Sequence, residues 1–220
     1  MSPIQLEITP MSPVFGAEVS GVDLADGVDD ATFSVLYEAW LTYGVLAFQG
    51  QSRLSADSQV AFARRLGPLH AHPAAPTDHE NDAVFVIRTH RDSPISNGNG
   101  WHSDVSCDEE PPSATMLQVH LLPDCGGGDT LFADMEAAYA TMPATDRQRL
   151  WALSAVHTSD HVYPGRYVDR GTDKTSVYTP SAVHPVVRTH PETGRRSIFV
   201  NPSFTVAIDG MSPADSDTLL

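Results

Sequence analysis

His102 and Asp104 stand two residues apart in the stretch Trp101-His102-Ser103-Asp104, and an imidazole and a carboxylate at that spacing suit one task. On an extended chain, residues i and i+2 project to the same side, so the two groups can grip a single cation together. One more histidine from elsewhere would complete a two-histidine, one-carboxylate face on Fe(II). The opposite face would then stay open for a bidentate 2-oxo acid and for dioxygen. The bare pattern is a weak signal, because a chain with ten histidines produces HxD by chance.

The other chemistry-bearing residues read more plainly. His70 and His72 precede Pro73 and fit a loop, while His157 and His161 border an irregular stretch, which predicts exposure rather than ligation. His184 and His190 flank a strand, where histidines take ordinary surface or core roles. The glycine run at 126–128 lacks the GK[ST] ending and following helix of a phosphate loop, and reads as a tight turn between strands. Asp108-Glu109-Glu110 reads as a solvated loop. A hydrolytic nucleophile is not indicated, since no GxSxG occurs and neither Cys107 nor Cys125 has a basic neighbour.

These residues need elements to position them. Asp29 or Asp30 can cap a helix along which Phe33, Leu36, Tyr37, Trp40 and Leu41 recur at helical spacing, and Gly44 supplies its stop. Val45 to Phe48 reads as a buried strand. Ser55 caps a second helix, with Val60, Phe62, Ala63 and Leu66 inward and Gly67-Pro68 at its end. Strands are expected at Val84 to Ile87, at Ala114 to Leu122 (with Thr115, Leu117, Val119 and Leu121 on one face) and at Asp129 to Ala133. Residues 91–100 read as a loop feeding the HxD pair. Asp134 caps a helix through Tyr139, and a further helix runs through Leu150 and Leu153. Residues 158–182 read as a mobile loop. His184 to His190 and Arg195 to Asn201 form a hairpin around Pro191-Glu192-Thr193-Gly194. Ser212-Pro213-Ala214-Asp215 is a strong helix start, and only Leu219 and Leu220 follow it, so the helix is expected to continue past the residues given.

Composition bounds the partners. The 220 residues are 41% apolar, enough for one domain with a sizeable core, and 15 glycines and 17 prolines spread along the chain suit a turn-rich β fold. A net charge of −15 argues against nucleic acid and acidic membrane surfaces, since phosphate binding needs clustered Lys and Arg. Two cysteines without a CxxC pair fit a reducing compartment. The start lacks a basic n-region with an apolar stretch, and no apolar run approaches a membrane span. The expectation is a cytoplasmic protein, with a second copy of itself as the macromolecular partner it admits.

The order of segments carries more information than any one of them. WHSDVSCDEEPPSATMLQVHLLPDCGGGDTLFADMEAAYATM resembles the taurine dioxygenase family of Fe(II)- and 2-oxoglutarate-dependent dioxygenases: WHxD, a PP pair, an alternating strand, a proline, GGDTLF, and a helix with AAY. HPVVRTHPETGRRSIFVNPSFTVAI resembles a second block of that family, ITPMSPVFGAEVSGVDL its N-terminal strands and LGPLHAHP its early histidine loop. The blocks span essentially the whole chain in the family's order.

The resemblance implies a mainly β fold, a double-stranded β-helix (jelly roll) with flanking α-helices, as a single catalytic domain over residues 1–220 that is incomplete at its C-terminus. It implies an oxidoreductase that hydroxylates a C–H bond of a small organic acid (a sulfonate, sulfate ester or related compound), with 2-oxoglutarate and O2 consumed and succinate and CO2 released. His102 and Asp104 would be two of three iron ligands, the third being a histidine not in this chain. The arginine that pairs with the distal carboxylate of 2-oxoglutarate would also lie beyond Leu220. Thr130 would hydrogen-bond the 2-oxoglutarate carboxylate. His72 would meet the substrate's anionic group, and Val105 and Phe204 would line its pocket. Two departures stand out: Ala75 replaces a tyrosine and Gly98 an asparagine, which removes hydrogen-bonding groups and points to a bulkier substrate than taurine. Three alternatives stay open: a non-catalytic fragment or pseudoenzyme of the same fold, a hydrolytic or isomerising cupin using Zn or Mn, and an iron halogenase, the last disfavoured because Asp104 retains the carboxylate.

Overall fold

The computed structural model describes residues 5–72, 81, 83–88, 90, 98–124, 126–163 and 179–220. Ala75, Cys125 and most of the expected loop at 158–182 lie outside them. The chain divides into two compact units, one of residues 1–69 with 116–134 and the other of residues 70–115 with 135–220. No described helix is long and apolar enough to cross a membrane.

In the first unit, β1 (Glu7–Pro10) pairs antiparallel with β2 (Ala17–Ser20), which pairs parallel with β3 (Leu46–Phe48). Between β2 and β3 runs α1 (Asp30–Tyr43), and its ends follow from side-chain chemistry. Asp29 Oδ1 accepts the Thr32 amide at 2.7 Å, satisfying one of the free N–H groups of the first turn. Gly44, at φ +73°, donates its amide to the Trp40 carbonyl, a left-handed stop that a side chain would strain. Leu36 and Ala39 are buried, and Phe33 packs its ring edge-on to Phe62 of α2 (Ala56–Ala63). Ser55 caps α2 through the Ser58 amide, and the helix ends at Ala63, short of Gly67, passing into turns.

The second unit carries the larger core. Its sheet runs β5 (Ser181–Pro185), β4 (Ser154–Thr158), β8 (Thr205–Ile208), all antiparallel. A hairpin of β6 (Val187–Thr189) and β7 (Arg196–Ile198) stands beside it. The expected hairpin turn is present, with the His190 amide donating to the Arg195 carbonyl and the Gly194 amide to that of His190. The hairpin begins only at Val187, because His184 belongs to β5 and pairs with Ala155 across β4. Helices α3 (Met135–Thr141) and α4 (Ala144–Trp151) precede β4, so Leu153 falls just past the helix expected to contain it. Ala155, Val186, Val187 and Ile208 form the apolar centre with Tyr139. The last helix, α5 (Pro213–Leu219), is capped by Ser212 and tied to β8 by Ser216, whose Oγ accepts the buried Ile208 amide at 2.8 Å.

Three expected strands are not formed. Residues 84–87, 114–122 and 129–133 carry no strand assignment. Strand order needs a hydrogen-bonded neighbour as well as alternation. At 114–122 the alternation is real, but the face carrying Leu117, Val119 and Leu121 is the exposed one, with Leu121 at 90%.

Candidate metal and substrate site

The HxD pair lies in the second unit outside any strand, with His102 in irregular chain and Asp104 at the start of the turn over residues 104–107. His102 Nε2 and Asp104 Oδ1 are 3.1 Å apart. His102 Nδ1 donates to the Gly100 carbonyl at 2.8 Å; that oxygen can only accept, so Nδ1 keeps its proton and the Nε2 lone pair points at the carboxylate. A lone pair and an anion at this distance need positive charge between them, supplied by a second ring proton or a metal cation. Two donors each about 2.1 Å from one ion and at right angles to one another sit about 3 Å apart, so the residues present fit a metal ion. Both side chains are partly exposed, which leaves room for further ligands.

The surroundings prepare the carboxylate. Thr115 Oγ1 donates to Asp104 Oδ2 at 2.6 Å, occupying one oxygen and leaving Oδ1 for the cation. When the His102 ring carries its second proton, the bond from His102, then that from Thr115 and the nearby imidazole charges, hold the Asp104 carboxyl below its usual range against a desolvation that pushes the other way. In the sequence Thr115 reads only as one member of an alternating face, and nothing local announces the bond. Replacing it by valine is expected to weaken metal binding about tenfold, the lower end of what outer-shell partners contribute, with little change in the unfolding midpoint; calorimetric titration with Mn(II) beside a thermal melt checks both.

Between the carboxylate and the core lies Val105 at φ +50°, the only non-glycine residue with positive φ among the described residues. A β-branched residue there carries strain of about 1–3 kcal/mol. The strain accompanies a useful placement. With the backbone turned at Val105, Asp104 faces outward while Val105 is buried with Cys107, Tyr163 and Phe204.

That cluster is where the expected substrate residues meet. The His72 ring stacks on Phe85 (centroids 5.3 Å apart, planes within 15°) and tilts against Tyr163 at 5.0 Å, and Tyr163 in turn meets Phe204 edge-on at 6.1 Å. His72, Val105 and Phe204 therefore border one aromatic-lined patch. The sequence carries no signal for Phe85, whose segment reads only as a strand, or for Tyr163, which lies in the stretch that reads as a loop. Thr130 belongs to the first unit, where it is exposed in the segment that follows the glycine run.

One histidine departs from expectation: His157 is fully buried on β4 rather than exposed. His184 takes a core role, one of the two expected for it, buried with its Nε2 donating to the Asp108 carbonyl at 2.8 Å. Asp108 is not simply solvated, since its carboxylate pairs with His70 Nε2 at 2.6 Å. Among the described residues no third histidine, cysteine, aspartate or glutamate joins His102 and Asp104 in a metal-holding group.

Comparison with known proteins shows the family. Residues 7–220 match the family described as taurine catabolism dioxygenase TauD, TfdA family. An (S)-phenoxypropionate/alpha-ketoglutarate-dioxygenase of Sphingobium herbicidovorans is 36% identical over 229 residues, covering 100% of this chain and 78% of that protein. An alpha-ketoglutarate-dependent sulfate ester dioxygenase of Pseudomonas putida is 33% identical, covering 98% and 72%. Among solved structures, a taurine dioxygenase from Burkholderia xenovorans is 31% identical with a TM-score of 0.79, covering 97% of this chain and 69% of that one. AAD-2 in complex with Mn(II) and N-oxalylglycine is 25% identical with a TM-score of 0.68, covering 98% and 77%. The chain belongs to the taurine catabolism dioxygenase TauD, TfdA family and is an alpha-ketoglutarate-dependent dioxygenase.

Proposed function

We propose that this chain hydroxylates a C–H bond of a small organic acid (a sulfonate, a sulfate ester or an aryloxy acid) and that His102 Nε2 and Asp104 Oδ1 are two of the protein ligands to its iron. The observation that carries the reading is their 3.1 Å separation, with each group's second polar atom already engaged by Gly100 or Thr115. The family's chemistry uses Fe(II), 2-oxoglutarate and O2. When bound, the metal would supply the activation of O2, one oxygen atom of which enters the new C–OH and the other the succinate left as 2-oxoglutarate loses CO2. The fold that we propose around this site is a double-stranded β-helix with helices outside, in one catalytic domain.

The chain's own residues would bind and orient. The Gly100 carbonyl fixes the His102 tautomer, and the Thr115 hydroxyl aims the Asp104 carboxylate. Thr130 would donate its hydroxyl to the 2-oxoglutarate carboxylate. His72, held flat on Phe85, would meet the anionic head of the substrate, while Val105 and Phe204 give its body an apolar wall and keep water away. Glycine at position 98 and alanine at 75 leave fewer donors than taurine calls for, which favours a bulkier acid. The named activities of the relatives, on a phenoxypropionate and on sulfate esters, support the same class.

The test is anaerobic addition of Fe(II) and 2-oxoglutarate, watched for the visible charge-transfer band of the chelate, followed by O2 and a panel of aryloxypropionates, alkyl sulfates and taurine with succinate as the readout. The expected result is a band, and succinate formation stimulated more by the bulkier acids than by taurine. Succinate formation stimulated most by taurine would overturn the substrate assignment. A second reading, a non-catalytic member of the fold, draws on the lack of a third ligand among the described residues; it would be upheld by a chain that shows neither band nor succinate.

A further inference from the structure

The two residues that would hold the metal are fastened to the protein from one place. Asn201, just past β7, uses its whole side chain. Its Oδ1 accepts the Ser203 and Phe204 amides at 3.2 and 3.0 Å, and its Nδ2 donates to Ser106 Oγ at 2.9 Å. Ser203, in the turn that Asn201 closes, donates its hydroxyl to the Trp101 carbonyl at 3.2 Å. Trp101 immediately precedes His102, and Ser106 follows Asp104 by two residues. The 201–204 turn thus grips the metal-bearing segment on both sides of the pair.

The grip on Ser106 is the firmer one. Ser106 is fully buried, and its Oγ also lies 3.1 Å from Nδ1 of the buried His157. At His157 the register of β4 against β8 shifts, with His157 opposite Thr205 and Val156 opposite Ala207. Such an irregularity re-aims a side chain, and the imidazole reaches Ser106 from it. The segment held in this way contains the left-handed Val105, a backbone state that persists only when its surroundings impose it.

We propose that Asn201 is a positioning residue for the iron site: acting through Ser106 on one side and through Ser203 and Trp101 on the other, it sets the separation of His102 Nε2 and Asp104 Oδ1. This rests on the reading of that pair as metal ligands. Asn201 itself need touch neither metal nor substrate. Its side chain cannot be replaced by aspartate without loss, because Ser106 receives a donor from it and the two amides receive an acceptor.

The test uses the 220-residue chain with Mn(II) as the probe and 2-oxoglutarate present, reading free Mn(II) by electron paramagnetic resonance up to millimolar concentrations. Four variants accompany the wild type: Asp104→Ala, Asn201→Ala, Ser203→Ala and, as a control in the apolar core away from the site, Ile208→Val. The wild type is expected to bind and D104A to fail. N201A should bind about tenfold more weakly, in the range for residues that orient ligands. S203A, which removes one bond at a partly exposed position, should bind roughly threefold more weakly with an unchanged melting temperature. I208V should lower the melting temperature and leave Mn(II) affinity alone, which separates positioning from general stability.

Wild-type affinity in both N201A and S203A, with D104A still inactive in binding, overturns the positioning role and leaves the metal pair standing. A wild type that takes up no Mn(II), or a D104A variant that takes it up undiminished, overturns the metal pair and this inference with it. Should N201A fail to fold, S203A decides by itself, since its loss of affinity supports the clamp and its wild-type affinity removes it.

Discussion

Replacing Asp104 by alanine is expected to abolish the Fe(II)–2-oxoglutarate chelate and lower turnover by more than about 100-fold, beyond what the loss of an outer-shell partner produces. The carboxylate is the one anion of the pair, and Nε2 of a single neutral imidazole cannot replace its charge. Its environment favours the ionised state a ligand needs, since a His102 ring carrying its second proton, and then the Thr115 hydroxyl, hold the carboxyl below its usual range. Asp104→Asn sharpens the test. The amide keeps the shape and an acceptor for the Thr115 hydroxyl but offers a far weaker ligand, so N and A variants should fail alike while both keep the wild-type melting profile. Retention of the chelate band in D104N would show that the carboxylate orients the site without ligating.

That expectation could be framed from sequence because HxD is a local pattern, and its companions WHxD, GGDTLF and HPVVR lie in one order. The helix boundaries were legible for the same reason. Asp29, Ser55 and Ser212 each cap through the amide three residues on, so the signal and the bond lie within one turn of chain. What failed was everything decided by distant partners. Leu117, Val119 and Leu121 alternate as a strand should, yet alternation names a face without saying what covers it, and here nothing among the described residues does. His157 stands next to a polar stretch and reads as exposed. It is buried because β4 has β5 on one side and β8 on the other, two pairings that no local window contains.

The site shows the same division. His102 and Asp104 were found by spacing, while Thr115, Ser106 and Asn201, which hold them, were not. Ser106 and Asn201 are 95 residues apart, and serine and asparagine in turns are ordinary turn residues. Their function appears only when the fold sets one donor against one acceptor. A turn conformation at Val105 was equally hidden, since valine is among the residues least suited to it and the sequence at that point argues for a strand.

His157 has a further consequence, for stability rather than catalysis. Its ring is fully buried, stacked on Phe199 and edge-on to His184, with Ser106 and Thr205 hydroxyls near Nδ1, and Nε2 has no hydrogen-bond partner among the described residues. Burial, and then the nearby charges of His184 and Arg188, push its pKa down from 6.5 to about 4. Above pH 6.5 the ring is neutral in both folded and unfolded chains and contributes no pH dependence. As pH falls through 6.5 the unfolded chain takes up a proton that the folded chain refuses, so stability declines until the folded form also protonates near pH 4. A gap of that size corresponds to about 3 kcal/mol at 1.36 kcal/mol per pH unit. Urea unfolding between pH 7 and pH 4 should therefore show the wild type losing about 3 kcal/mol more than His157→Gln, which has no titrating ring but can still bond Ser106 through its amide. The carboxylates that titrate at the acid end are common to both proteins and cancel in the difference. Parallel stability curves for the two across this window would mean that the imidazole is hydrated or paired in solution and that its burial does not govern the acid response; a gap that opens below pH 6.5 and stops widening near pH 4 would tie that response to this one ring.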